Sequence, residues 1–144
     1  MVVAGFHADT LTVATSEQIE LVDLTDRVTA AVAVRGVREG LVNLCSLHTT
    51  AAVLVTRPEN SLLASLRQAL EGPTSPGVDW GAAEMRSGGL PDGATHFGLF
   101  MLGHSLTLQV SEGALVLGEW QRVLLAELDG PRARQLRLQV WGTP

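Results

Sequence analysis

Residues 105 to 141, SLTLQVSEGALVLGEWQRVLLAELDGPRARQLRLQVW, decide the fold. Apolar and polar residues alternate along most of this stretch, which is the period of a half-buried strand. The short connections SEG and DGPRA, at residues 111–113 and 129–133, are typical of hairpin turns. We therefore predict an antiparallel meander in the C-terminal third of the chain.

One segment of this meander, GEWQRV at residues 118–123, is predicted to lie within a strand. Because successive side chains of a strand point to opposite faces, the indole of Trp120 and the amide of Gln121 would then face opposite ways. Packing of Trp120 in the core is the default interpretation for so large an aromatic side chain. The alternative gives Gln121 a place in the lining of a site.

Two helices are predicted in the first half of the chain. In DLTDRVTAAVAVRG, residues 23–36, Asp23 or Thr25 is a candidate cap, the valines share one face, and a following glycine ends the helix. The second helix starts at Asn60 or Ser61, carries a stripe of leucines, and stops at the Gly–Pro pair after residue 71.

The other N-terminal segments indicate strands. Residues 10–22 predict two short strands or one bent strand, and residues 41–56 predict two more. Two helices among many strands make an α+β domain. A chain of 144 residues fits one compact domain, which we predict to span residues 1–144.

Composition excludes several kinds of chemistry. All ten basic residues are arginine, so a Schiff-base lysine and a phosphate-loop lysine are ruled out. A net charge of -5 without any basic run argues against nucleic acid as a partner. A single cysteine, no evident signal peptide and no apolar run of about 20 residues predict a soluble cytoplasmic protein that binds no membrane.

One histidine interrupts an apolar run. The stretch NLCSLHTTAAVLV, residues 43–55, places His48 at the end of a predicted strand and beside two threonines. The first interpretation is structural, a strand-end imidazole hydrogen-bonded to a threonine. The second is functional, because histidine exchanges protons near neutral pH and binds metals.

A second polar group lies in residues 72–95, a long Gly- and Pro-rich loop of the kind that is usually functional or disordered. Near its end, PDGATH places Asp92 four residues before His96, a pair able to bind a metal or exchange protons. The structural interpretation is an Asx-type turn and a surface histidine. Several arginines are candidates for gripping phosphate or for surface ion pairs, namely Arg86, Arg132, Arg134 and Arg137.

Together these segments resemble the YjbQ-like family, also known as secondary thiamine-phosphate synthase. HTTAA within residues 45–52 resembles the family's HTS/HTT-A motif, and PDGATH at 91–96 resembles its DDMPxH segment. Residues 105–134 resemble its S-L-x-(apolar)-P-V-x-x-G-x-x-x-x-G-T-W-Q-x-(apolar) motif and the G-P-R-x-R that follows. The order and spacing hold over nearly the whole chain, and the C-terminal motif is the most specific.

The resemblance implies an α+β fold with an antiparallel β-sandwich-like core and two main helices, assembled as a homotrimer. It also implies a weak thiamine-phosphate synthase-type transferase, which joins a pyrimidine pyrophosphate to a thiazole phosphate. A divalent metal, zinc or magnesium, and a small phosphorylated metabolite would be the cofactor and the partner. In this enzyme hypothesis the catalytic residues are His48, Asp92, His96 and Gln121, with His48 and His96 as metal ligands, and the substrate-binding residues are Thr49, Glu59, Asn60 and Arg132.

Departures from the family pattern support a second hypothesis. The family's E-N-x-D-P appears as TRPENS, where Glu59 and Asn60 are displaced by two positions, and the first acid of DDMP is Pro91. The histidine that the family carries upstream falls at about Met85. These losses favour a catalytically degenerate trimeric protein that binds a small ligand. A metal-dependent hydrolase of a phosphorylated metabolite is a third hypothesis.

Overall fold

A computed structural model describes residues 1–71 and 102–144 of the chain. Within these residues the chain forms eight strands and two helices. In chain order they are β1 (Gly5–Ala14), β2 (Glu20–Asp23), α1 (Thr25–Val34), β3 (Glu39–Ser46), β4 (Ala51–Thr56), α2 (Asn60–Glu71), β5 (Ser105–Ser111), β6 (Ala114–Leu115), β7 (Arg122–Glu127) and β8 (Ala133–Thr143).

The strands form two antiparallel sheets. The larger sheet has the order β1-β8-β3-β5-β6, and the smaller has the order β2-β7-β4. One face of each sheet contributes to a shared core, so the two sheets pack as a sandwich. The predicted α+β class and β-sandwich-like core are confirmed.

The core between the sheets follows from alternation along the strands. In β8 the inward residues Leu136, Leu138 and Val140 are buried, while the residues between them lie on the outer face. From the smaller sheet, Val53 and Leu125 enter the same core cluster. β7 is buried along almost its whole length because it is the central strand of the smaller sheet.

The two helices cover different parts of the sandwich. Helix α1 places Val28 and Val32 in the core between the sheets, as its predicted apolar face requires, and its chain reverses at Gly36 with a φ of 66°. Helix α2 places Leu63 and Leu66 against the other face of the smaller sheet. The smaller sheet therefore forms the middle layer, with the larger sheet on one of its faces and α2 on the other.

The two predicted C-terminal connections have different outcomes. The SEG hairpin is confirmed: Glu112 and Gly113, both at positive φ, join β5 to β6 as a two-residue turn of the primed type. The DGPRA hairpin is wrong, because β7 pairs with β2 and β4 whereas β8 pairs with β1 and β3. Residues 128–132 therefore carry the chain from one sheet to the other, and the C-terminal third is not a continuous meander.

A buried ion pair joins three of the connections between the sheets. The Glu127 side chain is fully buried and that of Arg134 is 3% exposed. The Glu127 carboxylate accepts hydrogen bonds from the Thr15 hydroxyl at 2.8 Å, in the β1–β2 connection, and from the Asp129 N–H at 3.0 Å, in the β7–β8 connection. Arg134 donates to Thr50, in the β3–β4 connection. One carboxylate thus ties together three places where the chain crosses the sandwich.

Trp120 lies outside the core, so the core interpretation is wrong. The residue is in a turn before β7 and is 60% exposed. The turn is closed by Gln121, whose Oε1 accepts a hydrogen bond from the Gly118 N–H at 2.7 Å. The predicted strand therefore starts only at Arg122, and alternation from there places no indole inward.

We predict that Trp120→Ala lowers the free energy of unfolding by no more than about 1 kcal/mol. The indole's one aromatic contact in the described part of the chain is the guanidinium of Arg57, 4.7 Å from the ring centre, and an exposed cation–π pair contributes about 0.5–1 kcal/mol. Denaturant melts measure this against Leu125→Ala, a fully buried control for which about 2–5 kcal/mol is expected. Equal losses in the two variants would contradict the exposed placement.

Candidate functional site

His48 lies in the β3–β4 connection, at a corner between the two sheets. Strand β3 ends at Ser46, two residues before the predicted strand end, and β4 begins at Ala51. The backbone of the corner is held from the β3 side, because the His48 N–H donates to Ser46 Oγ at 3.3 Å. The imidazole is partly buried.

The imidazole of His48 is fixed by a backbone donor rather than by a threonine. Its Nε2 accepts a hydrogen bond from the Gln135 N–H at 2.8 Å. A nitrogen that accepts carries no proton, so the neutral ring holds its proton on Nδ1. In the described part of the chain that Nδ1 has no hydrogen-bond partner, which leaves it a donor for a ligand.

Electrostatics favour the neutral imidazole. Burial lowers the pKa of His48, and the positive charge of Arg134 lowers it further, with a smaller contribution from Arg132. The negative charge of Glu127 opposes these effects without cancelling them. A lowered pKa favours the neutral ring at pH 7.

The corner is held from inside by the buried ion pair. Arg134 Nη2 donates to Thr50 Oγ1 at 2.8 Å, and its Nε donates to Glu127 at 2.7 Å. Burial acts to raise the pKa of Glu127, but the hydrogen bonds from Arg134, from the Asp129 N–H and from Thr15 outweigh it, and the pKa lies below its ordinary value. The predicted phosphate-gripping role is wrong for Arg134, because its guanidinium is buried and is hydrogen-bonded to Glu127 and Thr50.

Two predicted substrate-binding residues lie at or near this corner. Thr49 is exposed and its hydroxyl has no partner among residues 1–71 and 102–144. Arg132 is close enough for its charge to act on His48. Its guanidinium is 47% exposed and is paired with Asp129 at 3.0 Å. The corner therefore carries an imidazole donor and a hydroxyl, and the exposed guanidinium of Arg132 acts on the imidazole through its charge.

The remaining described candidates form a second group at the opposite end of β4. Glu59 and Asn60 lie at the start of α2, and Glu59 is paired with Arg57 at 2.7 Å. Arg57 also covers the ring of Trp120, which is next to Gln121 in the turn before β7. Arg57, Glu59 and Trp120 thus form an exposed cluster of charged and aromatic side chains.

The length of β4 separates the two groups. Ala51, next to the His48 corner, pairs with Glu127, while Thr56, next to the second group, pairs with Arg122. Six residues of strand place these ends about 17 Å apart. Within one protomer Glu59, Asn60 and Gln121 are thus far from His48. Asp92 and His96 lie outside the described residues, as does Arg86.

The described residues do not by themselves supply a metal site. Among residues 1–71 and 102–144, no group of three or more His, Cys, Asp or Glu side chains is placed to hold a metal ion. His48 Nε2 is already engaged by Gln135, so only Nδ1 remains, and it coordinates a metal only after losing its proton. The other proposed ligands, Asp92 and His96, are in the part of the chain not described.

A different surface feature lies on the outer face of the larger sheet. Phe6, Trp141 and Leu41 are aligned across β1, β8 and β3 and are 61%, 53% and 38% exposed. They line a groove of about 410 Å³, whose floor contains Asn43 and Gln139. Exposed apolar groups of this kind mark interaction surfaces. No helix in the described part of the chain is long and apolar enough to span a membrane.

Sequence reasoning missed the importance of Glu127 and of its pairing with Arg134. The available signal is an acid at the end of the apolar strand VLLAE, followed seven residues later by an arginine at an inward position of β8. A charged residue in such a run is rarely buried unless it is paired. The partner becomes evident only once the two strands are assigned to different sheets.

The fold and the corner define a small α+β sandwich protein with a partly buried histidine in a connection between its two sheets. The chain belongs to the family described as UPF0047 protein YjbQ-like, whose model matches residues 9–143. A UPF0047 protein of Methanothermobacter thermautotrophicus is 33% identical over 138 residues, covering 96% of this chain and 94% of that protein. A UPF0047 protein of Archaeoglobus fulgidus is 33% identical over 126 residues, covering 88% and 94%.

Solved structures agree with this assignment. A protein of unknown function from Sulfolobus solfataricus P2, described as YbjQ-like, superposes with a TM-score of 0.79 at 31% identity, covering 96% of this chain and 99% of that chain. A hypothetical protein from Aeropyrum pernix K1 gives a TM-score of 0.76 at 31% identity, covering 94% and 98%. The predicted family is confirmed.

We predict that His48 titrates below the ordinary histidine value of about 6.5. Because its folded pKa is lowered, the unfolded chain binds the proton first as pH falls. Stability is then lost below about pH 6.5, and the loss is complete below the folded pKa. An NMR titration of the imidazole, assigned with His48→Gln, measures the midpoint. Between pH 7.5 and 5.5, His48→Gln should lose less unfolding free energy than the native chain. A midpoint at or above 6.5 would refute the prediction.

Proposed function

We propose that the protein binds a phosphorylated small metabolite at the His48 corner. The observation that carries this proposal is the hydrogen bond from the Gln135 N–H to His48 Nε2, which leaves the Nδ1–H as a donor. Phosphate oxygens are acceptors, and an exposed arginine near the same imidazole suits them. Thr49 adds a hydroxyl that no described residue engages.

The activity we propose at this corner is a weak transfer reaction of the thiamine-phosphate synthase type. In such a reaction a pyrophosphate leaves as an anion, so donors and positive charge placed at the departing group stabilise the transition state. His48 and Arg132 would act on that anion, and Gln121 would orient the second substrate. The separation along β4 means that Gln121 would have to come from another subunit.

Two other functions remain as alternatives. A protein that binds the metabolite without catalysis is supported by Gln121, because its side-chain oxygen is occupied by the Gly118 N–H. A metal-dependent hydrolase would need the zinc or magnesium site of His48, Asp92 and His96. Of these three residues, His48 is the one that lies in the described part of the chain.

We also propose that the protein is a cytoplasmic homotrimer in which the outer face of the larger sheet is covered by another copy. The support is the row of exposed apolar side chains, Phe6, Trp141 and Leu41, around the groove. Isolated apolar residues are ordinary on a surface, but a contiguous group of three, two of them aromatic, resembles the core of an interface. Among residues 1–71 and 102–144, those that line this groove carry no charge.

We predict that Arg132→Gln weakens binding of inorganic pyrophosphate about tenfold. A hydrogen bond to a charged group contributes about 1.5 kcal/mol or more, and 1.4 kcal/mol corresponds to a factor of ten in the dissociation constant. His48→Leu should weaken binding similarly, because leucine has no side-chain donor to replace the Nδ1–H. Isothermal titration calorimetry measures both variants.

The matched control is Arg35→Gln, which removes another partly exposed arginine whose partner is Asp9 on strand β1. It should bind pyrophosphate as the native chain does. Native protein that binds no pyrophosphate, or equal losses in all three variants, would contradict the proposed site. Titrations with magnesium and with a chelator complete the design, since a strict requirement for the cation would support the metal hypothesis.

We predict that Trp141→Glu dissociates the trimer. A carboxylate in the centre of an apolar interface loses its hydration without gaining a partner, which is costly. Size-exclusion chromatography with light scattering should give three times the chain mass for the native protein and a lower mass for the variant. Val34→Glu is the control, because Val34 is also an exposed apolar residue but lies on α1, outside this face. Native protein that elutes as a monomer would contradict the proposed trimer.

A further inference from the structure

We propose that Arg134 is a positioning residue for the His48 corner, and that Glu127 holds Arg134 in the conformation this requires. The inference rests on the proposed function, in which the Nδ1–H of His48 is the donor for the ligand. Neither residue contacts the ligand. Their effect is transmitted through Thr50 and through the backbone of β8.

The geometry that carries this inference is a set of three hydrogen bonds from two consecutive residues of β8. The Arg134 side chain donates to Thr50, at 2.8 Å to the hydroxyl and 3.3 Å to the carbonyl oxygen. The next backbone N–H, that of Gln135, donates to His48 Nε2 at 2.8 Å. The segment from His48 to Thr50 is thus attached to β8 at both of its ends.

The attachment depends on a planar fork rather than on positive charge alone. Arg134 donates to Glu127 through Nε at 2.7 Å and through Nη2 at 2.5 Å, and the same Nη2 reaches Thr50. Both Glu127 oxygens are further fixed by Thr15 and by the Asp129 N–H. A lysine has a single ammonium group and cannot reproduce this pattern.

The consequence concerns which imidazole nitrogen carries the proton. When Thr50 is anchored, the Gln135 N–H stays within hydrogen-bond distance of Nε2 and the proton is kept on Nδ1. When Thr50 is released, the corner shifts relative to β8 and that hydrogen bond weakens. The ring then also populates the form with the proton on Nε2, which places no donor at Nδ1.

The test is Arg134→Lys, which keeps the positive charge but loses the fork. Nitrogen-15 NMR of the histidine rings at pH 7.5 distinguishes the two neutral forms. We expect the native chain to show His48 protonated on Nδ1, and the variant to show a mixture together with weaker pyrophosphate binding. A change that only lowered stability would leave the ring nitrogen shifts of the folded protein unchanged.

A second variant covers the case in which Arg134→Lys does not fold. Thr50→Val removes only the hydroxyl acceptor, keeps the side-chain shape and leaves the ion pair intact. It should shift the same nitrogen signals to a smaller extent. Arg122→Lys is the matched control, because Arg122 lies at the other end of β7 and is paired with Asp23 at 2.7 Å. It should change neither the signals nor the binding.

The outcomes separate this inference from the proposed function. Native nitrogen shifts in every folded variant of Arg134 and Thr50 would overturn the positioning role, even if the native chain binds pyrophosphate. Shifted signals combined with no pyrophosphate binding by the native chain would support positioning and overturn the proposed ligand. Shifted signals with weakened binding support both.

Discussion

The structure depends on one buried carboxylate. Glu127 accepts hydrogen bonds from Thr15, from the Asp129 N–H and from the Arg134 guanidinium, and these partners come from or anchor three connections between the two sheets. A buried ion pair that is fully hydrogen-bonded gives little net stability compared with apolar packing, but loss of one partner is costly. The pair joins the three connections at one point, because its hydrogen-bond partners come from all of them. Removal of one partner alone is therefore expected to be more costly than replacement of the pair by apolar residues.

The geometry of the proposed His48 site depends directly on these contacts of Glu127. His48 is on a short connection whose end is anchored by Arg134 and whose imidazole is held by the next residue of the same strand. Catalytic and binding groups are often placed on loops supported by a rigid scaffold, and here the support is polar and internal. His48 interrupts an apolar run in the sequence because its imidazole accepts a hydrogen bond from Gln135 of β8, a strand that is distant in the chain.

Periodicity in the sequence was sufficient for the elements but not for all of their partners. The helix beginning near Thr25, the hairpin at Glu112 and the alternation in β8 were all predictable, because each depends on local spacing. The connection at Asp129 looks the same locally whether the next strand pairs back or joins the opposite sheet. Which of these occurs is decided by packing across the sandwich. Trp120 was misplaced for a related reason: alternation was extended through a turn that the Gln121 side chain closes.

For the candidate site, sequence reasoning proposed His48 and Arg132 but could not identify the Glu127–Arg134 pair that supports this corner, since the burial of Glu127 is a tertiary property. The separation of the two candidate groups by strand β4 has a genetic consequence. If one ligand spans both groups, each complete site combines the His48 end of one chain with the Glu59 end of another. Two alleles, each damaged at a different end, would then assemble some intact sites when co-expressed. Interallelic complementation would accordingly separate a shared site from one enclosed in a single chain.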